Sequence, residues 1–179
     1  MKKDENLKDK FKQALISTVK AISEDYKSNL NLNKKNQNIN NNDFFELDNL
    51  NNKSDFLKFR AETDSEALKR KFSDRKIYLK NLPTKPTLKS LYNVSEKIRY
   101  EKLGTKILKG INKNLIDNYN YKISIKKKDQ LRSKEDTNIT EAFEIYMLKN
   151  FLNITPNMLC EKILSFWEQE FKDSFGKHL

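Results

Sequence analysis

Few residues in this chain could do chemistry, and they are widely spaced. The acids Glu62, Asp64 and Glu66 fall within five positions. Glu62 and Glu66 are one helical turn apart, a spacing that could hold a divalent cation through oxygen ligands. Lys69 and Arg70 follow directly, so a solvated, self-neutralised helix face is the simpler reading. Glu24-Asp25 and Glu135-Asp136 are further carboxylate pairs, which acid–base chemistry could use only inside a cleft. The chain has one cysteine, Cys160, and one histidine, His178. An intrachain disulfide, a Cys-cluster zinc site, a His-rich metal site and an ordinary Ser-His-Asp or Cys-His pair are therefore all excluded. Cys160 also lacks a basic cluster to activate its thiol. No Gly-rich loop precedes a Lys-Ser or Lys-Thr pair, so the usual phosphate cradle is missing. The expectation is a chain with no catalytic residue, no metal site and no cofactor of its own.

The elements that would position these groups read as helices. Phe11, Leu15, Thr18, Val19 and Ile22 share one face of a helix over about Leu7 to Asp25. Asn29 to Asn33 alternates as a short edge strand would. From Asn29 to Asn52 nearly half the residues are Asn, which marks a low-complexity loop over about 29–53, with Phe44, Phe45 and Leu47 as docking points. A second helix begins near Ser54 or Asp55, capped by Ser54, with Phe56, Phe59, Thr63, Ala67 and Leu68 facing inward. Ile77-Tyr78-Leu79, ahead of Pro83 and Pro86, reads as an extended connection. Thr87 is a plausible cap for the helix that follows.

That next helix runs from about Leu88 or Leu91 to Asp117 and holds two of the three glycines, Gly104 and Gly110. Glycine inside a helix costs roughly 1 kcal/mol against alanine, so something other than propensity placed them. Leu91, Val94, Ile98, Ile107, Leu108, Ile111, Leu115 and Ile116 form one apolar arc at 100° per residue. Gly104 lies within the arc and suggests a close neighbour. Gly110 lies outside and suggests a bend or a docking contact. Glu101 also falls inside. An inward carboxylate must be paired or hydrogen-bonded, and Arg60 on the preceding helix is the preferred ion-pair partner.

Tyr119 to Ile125 reads as strand or extended exit. Asn138 and Glu141 have capping-box spacing for a helix to about Phe151, with Phe143 inside. Thr155-Pro156 opens a last helix in which Leu159, Ile163, Phe166, Trp167 and Phe171 share a face. The sum is a mostly α chain of four to five helices in one small domain spanning 1–179, with minor or no strand. Its expected core includes Phe11, Leu15, Ile98, Ile107, Leu115, Phe143, Ile163 and Trp167.

Net charge is +11 over 179 residues. Drift toward Lys, Asn and Ile explains this better than a polyanion partner, because no basic stripe forms and acids are scattered through the helices. A stand-alone basic module binding nucleic acid is the alternative. No apolar run is long enough to cross a membrane and no signal-peptide pattern is present, which points to the cytoplasm.

Three blocks resemble the amino-terminal region of the cobaltochelatase T subunit, the CobT family of aerobic cobalamin synthesis. Phe11-Lys12-Gln13-Ala14-Leu15 with Val19 to Ile22 is similar to the family's opening F-K-x-A-L helix. Arg60, Asp64, Ala67 and Leu68 are similar to R-G-x-x-D-x-x-A-L, with Ala61 where glycine is usual. Glu96, Arg99, Glu101, Gly104, Gly110, Asn114 and Leu115 are similar to E-x-x-R-x-E-x-x-G followed by G-x-x-x-N-L. The helix at Glu141-Ala142 and the segment Leu164-Ser165-Phe166-Trp167 also resemble the family.

The resemblance implies a subunit or fragment of an ATP-dependent complex that inserts cobalt into a corrin, hydrogenobyrinic acid a,c-diamide. It implies an AAA+ ATPase subunit and a large chelatase subunit as partners. ATP, magnesium and cobalt are handled by the complex rather than by this chain, which serves assembly or docking. Family members continue through an acidic linker into a von Willebrand A-type domain. The expectation is therefore a fragment or shortened product, part of whose positive charge is matched by such a linker. A different metal-insertion client for the same ATPase pair is a further alternative.

Overall fold

A computed structural model describes residues 2–26, 52–126 and 131–178. The edge-strand reading at Asn29 to Asn33 and nearly all of the Asn-rich loop lie outside these residues. The described chain is mostly helical, with eight α-helices and no strand. They are α1 (Lys2–Ser23), α2 (Lys53–Phe72), α3 (Arg75–Asn81), α4 (Pro86–Ile107), α5 (Lys109–Ser124), α6 (Ile139–Leu152), α7 (Met158–Ser165) and α8 (Glu168–Phe175).

The count exceeds four to five for three local reasons. The segment 75–81 is helix rather than extended, because the Asp74 carboxylate accepts from the backbone N–H groups of Lys76 and Ile77 and starts it. The long glycine-bearing helix breaks at Leu108 (φ −123, ψ 96), giving α4 and α5. The last helix breaks at Phe166-Trp167, giving α7 and α8. Tyr119 to Ser124 continues α5 instead of leaving it as strand.

Caps also shift from their expected places. Asn52, not Ser54, caps α2 in a capping box with Asp55. Lys85 precedes α4, with Pro86 at its first position, so Thr87 is already helical. Asn157, not Thr155, caps α7 by accepting from the Cys160 N–H. Asn138 caps α6 through the N–H groups of Thr140 and Glu141.

Packing runs outward from α2, which lies against α1, α4 and α5; α4 in turn carries α6, and α6 carries α7 and α8. Leu15 and Val19 of α1 are buried, and the Phe11 ring meets Phe56 edge-on at 5.0 Å. Ile98, Leu115, Phe143 and Ile163 are buried in the main core, and Trp167 is half-buried against it. Ile107 is a correction: it is 63% exposed. Ile107 lies nine residues from Ile98, half a turn around α4, and Ile111 and Leu115, its neighbours in the expected arc, belong to α5 beyond the break at Leu108. No described helix is long and apolar enough to cross a membrane.

Candidate functional site

The polar groups that sequence singled out meet at a seam between α2, α4 and α5. Asp64 of α2 is fully buried. Its Oδ2 accepts a hydrogen bond from Asn114 Nδ2 of α5 at 2.7 Å and lies 3.6 Å from Arg60 Nε, one turn back along α2. Asp64 Oδ1, Thr63 Oγ1 and Asn118 Oδ1 are buried and find no hydrogen-bond partner among the described residues. Burial pushes the Asp64 carboxyl above the usual carboxylate range, and the Asn114 amide and Arg60 guanidinium pull it back only in part.

Glu101 of α4 lies one layer further along the seam and is 1% exposed. Its two oxygens are used separately. Ser65 Oγ of α2 donates to Oε1 at 2.5 Å, and Tyr119 Oη of α5 donates to Oε2 at 2.7 Å. One carboxylate thus ties three helices together. Its partner is not Arg60, whose ion pair is with Asp64. Two hydroxyls answer the buried oxygens instead of an ion pair.

Two lysines approach the Tyr119 ring. Lys97 Nζ lies 5.3 Å and Lys122 Nζ 6.0 Å from its centroid. Each lysine also reaches an acid at 4.0 Å, Glu144 for Lys97 and Glu62 for Lys122. Burial, then the neighbouring Lys97, pushes the Lys122 ammonium below its ordinary range. Burial and the Glu101 carboxylate push both Tyr100 and Tyr119 upward, so neither phenol ionises at neutral pH.

Gly104, one turn beyond Glu101, is buried against Leu68. A methyl built on it would lie 2.2 Å from a Leu68 methyl and 2.8 Å from Leu68 Cγ. Only a glycine lets α4 approach α2 this closely. At the far end of α2, Arg99 Nη2 donates to the Phe72 carbonyl at 2.7 Å and pairs with Glu96 at 2.7 Å. Ser73 Oγ donates to Glu96 at 2.6 Å. The pair therefore answers a carbonyl that the helix terminus leaves open. The Arg99 guanidinium holds the Glu96 carboxyl below its usual range.

The other candidates scatter. Of the acidic trio, Glu66 pairs with Arg70 at 3.0 Å and Glu62 faces Lys122, while Asp64 turns inward. The solvated-face reading therefore fails for Asp64. No group of three Cys, His or acidic residues that could hold a metal occurs among the described residues. Cys160 is buried, and burial raises its thiol above the ordinary value. Trp167 Nε1 donates to Thr137 Oγ1 at 2.7 Å while Lys134 Nζ sits 4.0 Å over its ring. Gly110 is exposed and has nothing within 4 Å of where a Cβ would stand. A cleft of 160 Å³ lies beside Lys126, Asp136 and Glu141, smaller than pockets for organic ligands of ordinary size.

Sequence reading missed Ser65, Asn118 and the role of Tyr119. Spacing carried a signal for Tyr119: Ile111, Leu115, Tyr119 and Ile123 recur every four residues, one face of a helix.

The sequence matches a family model described as cobalamin biosynthesis protein CobT over residues 5–179. The chain belongs to the CobT family. That membership ties it to cobalamin biosynthesis. No match was found among curated proteins or among solved structures. Of the residues that carry the CobT likeness, those of the second and third blocks gather at the seam: Arg60 and Asp64 with Asn114, Glu101 with Ser65 and Tyr119, Gly104 with Leu68, and Arg99 with Glu96. Gly110 stands apart from it, and the family-like residues of α1, α6 and the α7–α8 boundary lie on other helices.

Proposed function

We propose that this chain is a non-catalytic assembly module of an ATP-dependent cobaltochelatase, the complex that inserts cobalt into a corrin ring. The supporting observation is the CobT match across residues 5–179 together with the use made of the family-like residues of α2, α4 and α5. They are spent on holding α2, α4 and α5 in one arrangement. Buried, mutually bonded side chains fix a rigid body whose surface is then available to partners. The AAA+ ATPase subunit and the large chelatase subunit are those partners on this reading, and the site of action is the cytoplasm.

Reconstitution tests this. Cobalt insertion into hydrogenobyrinic acid a,c-diamide is followed with the ATPase and chelatase subunits, with and without this chain. Insertion should need the chain, the chain should co-purify with the ATPase subunit, and it should hydrolyse no ATP alone. Full insertion without the chain, or ATP turnover by the isolated chain, would overturn the proposal.

A further inference from the structure

One part of the molecule takes no part in the packing described above. α3 buries no residue. Its Ile77 and Leu79 are 62% and 54% exposed, and Leu88 in the first turn of α4 is 48% exposed. From Arg75 to Ser95 the chain carries Arg75, Lys76, Lys80, Lys85 and Lys89 and no Asp or Glu. All five cations are exposed, and none forms an ion pair among the described residues. Several lysines elsewhere sit beside acids: Lys71 on Glu24, Lys97 on Glu144, Lys122 on Glu62 and Lys149 on Glu168. The stretch from Arg75 to Ser95 is thus one unneutralised concentration of positive charge, and it coincides with exposed aliphatic side chains.

This arm is built to keep its shape. Tyr78 packs its ring on Tyr92 at 5.4 Å and donates its hydroxyl to Asn93 Oδ1 at 2.5 Å. Asp74 caps α3, and Pro83 and Pro86 limit the backbone between α3 and α4. A surface held in one conformation before binding loses less entropy when a partner arrives.

We propose that α3 and the first turn of α4 form a docking arm for a protein partner whose surface is acidic around an apolar floor. Charge complementarity sets the sign of the partner: five unpaired cations attract carboxylates and reject basic surfaces. The aliphatic residues set its class. Ile77 and Leu79 are two positions apart, about 200° around a helix, so they point to different sides of α3. A lipid surface covers one face of a helix, whereas a protein groove covers more than one. Nucleic acid offers phosphates but no aliphatic floor for Ile77, Leu79 and Leu88, and the Tyr78 and Tyr92 rings are occupied with each other rather than presented for base stacking. The inference stands on charge and exposure and does not depend on cobalt insertion.

The full chain is titrated with four fluorescent probes: a synthetic helical peptide of Glu and Leu residues, a Glu-only peptide of equal charge, a single-stranded DNA of about 20 nucleotides, and phosphatidylserine vesicles. The Glu/Leu peptide should bind at least about ten-fold tighter than each of the others. The double variants K76E/K80E and I77S/L79S should each weaken it by about ten-fold, with unchanged melting because the arm buries nothing. A benzophenone-bearing version of the peptide should crosslink the unaltered protein within residues 75–89. Tighter binding to DNA or vesicles, equal binding of the two peptides, no binding of the Glu/Leu peptide, unchanged affinity in either variant, or crosslinks confined to other helices would overturn the proposal.

Discussion

Two regions hold this molecule together by different physics. At the α2–α4–α5 seam, Glu101 accepts one hydroxyl from each flanking helix. At the corner between α6 and α8, Phe171 gathers rings instead: Phe143 at 5.2 Å, Tyr146 at 5.3 Å and Phe175 at 6.5 Å between centroids. Trp167 stacks on it at 6.2 Å from α8's first boundary. Hydrogen bonds are directional, and a buried group that loses its partner costs about 1–3 kcal/mol. Ring contacts tolerate tilt and cost mainly in volume. The seam should therefore punish small chemical changes at constant shape, and the corner should forgive them.

The largest test of that contrast is Glu101→Ala. It strands the Ser65 and Tyr119 hydroxyls in a dry interface and leaves a gap, for an expected loss of about 3 kcal/mol or more. Urea unfolding monitored by circular dichroism reads it. A loss below about 1 kcal/mol would mean that the seam is not the anchor described here.

Next comes a matched pair, each member removing one phenolic oxygen. Tyr119→Phe takes away the donor to Glu101 and should cost about 1.5–3 kcal/mol, the range for a hydrogen bond to a charged group. Tyr146→Phe removes a hydroxyl that bonds no acid among the described residues, beside the aromatic cluster, and should change stability by less than about 0.5 kcal/mol. Equal losses in the two variants would erase the distinction between seam and corner.

The part of the seam legible in sequence was the direction of its residues, not their partners. Periodicity alone turned Glu101 and Gly104 inward, because both lie within about 120° of the buried Ile98 around α4. It turned Ile107 inward wrongly: Ile107 lies half a turn from Ile98 around α4 and joined the arc only alongside Ile111 and Leu115, which lie in α5 beyond a break that no residue type in Ile107-Leu108-Lys109 announces. α3 was hidden for the opposite reason. Its start depends on a single Asp74 cap, and with no buried face it has no apolar period to read. Partner choice fails for a third reason. A buried carboxylate needs donors, and sequence cannot say whether an arginine or two hydroxyls will supply them. Arg60 was the charged candidate, but Ser65, little more than one turn beyond it, occupies the layer of α2 that faces Glu101.

Acid titration separates two carboxyls within the same set of helices. Asp64 has a folded value raised above its unfolded one, so the folded state holds its proton longer. Stability contributed by protonated Asp64 is present below the ordinary carboxylate range near 3.9 and is lost as pH rises through the raised value. Glu96 has the opposite sign. Its stabilisation by Arg99 is present above the ordinary value near 4.3 and is lost as pH falls through the lowered one. Asp64→Asn should flatten the decline on the higher-pH side and leave the Glu96 limb in place. Denaturant midpoints from about pH 3 to 7 measure both, and a decline on the higher-pH side that persists in the variant would assign it elsewhere.

The smallest effects come from the two helical glycines, and their signs should differ. Gly104→Ala gains up to about 1 kcal/mol of helix propensity. It also forces a methyl to 2.2 Å from Leu68, whose side chain is fully buried and has nowhere to turn. Overpacking of this kind costs about 1–3 kcal/mol, so the net is a loss of about 1 kcal/mol. Gly110→Ala meets nothing within 4 Å and no positive φ. It should therefore raise stability by up to about 0.5–1 kcal/mol, through helix propensity and a less flexible unfolded chain. A stabilising result means that the fold does not require glycine at 110, and any requirement must come from what approaches α5 from outside. A destabilising result would place an unrecognised contact at the first turn of α5 and join Gly110 to the seam it otherwise stands apart from.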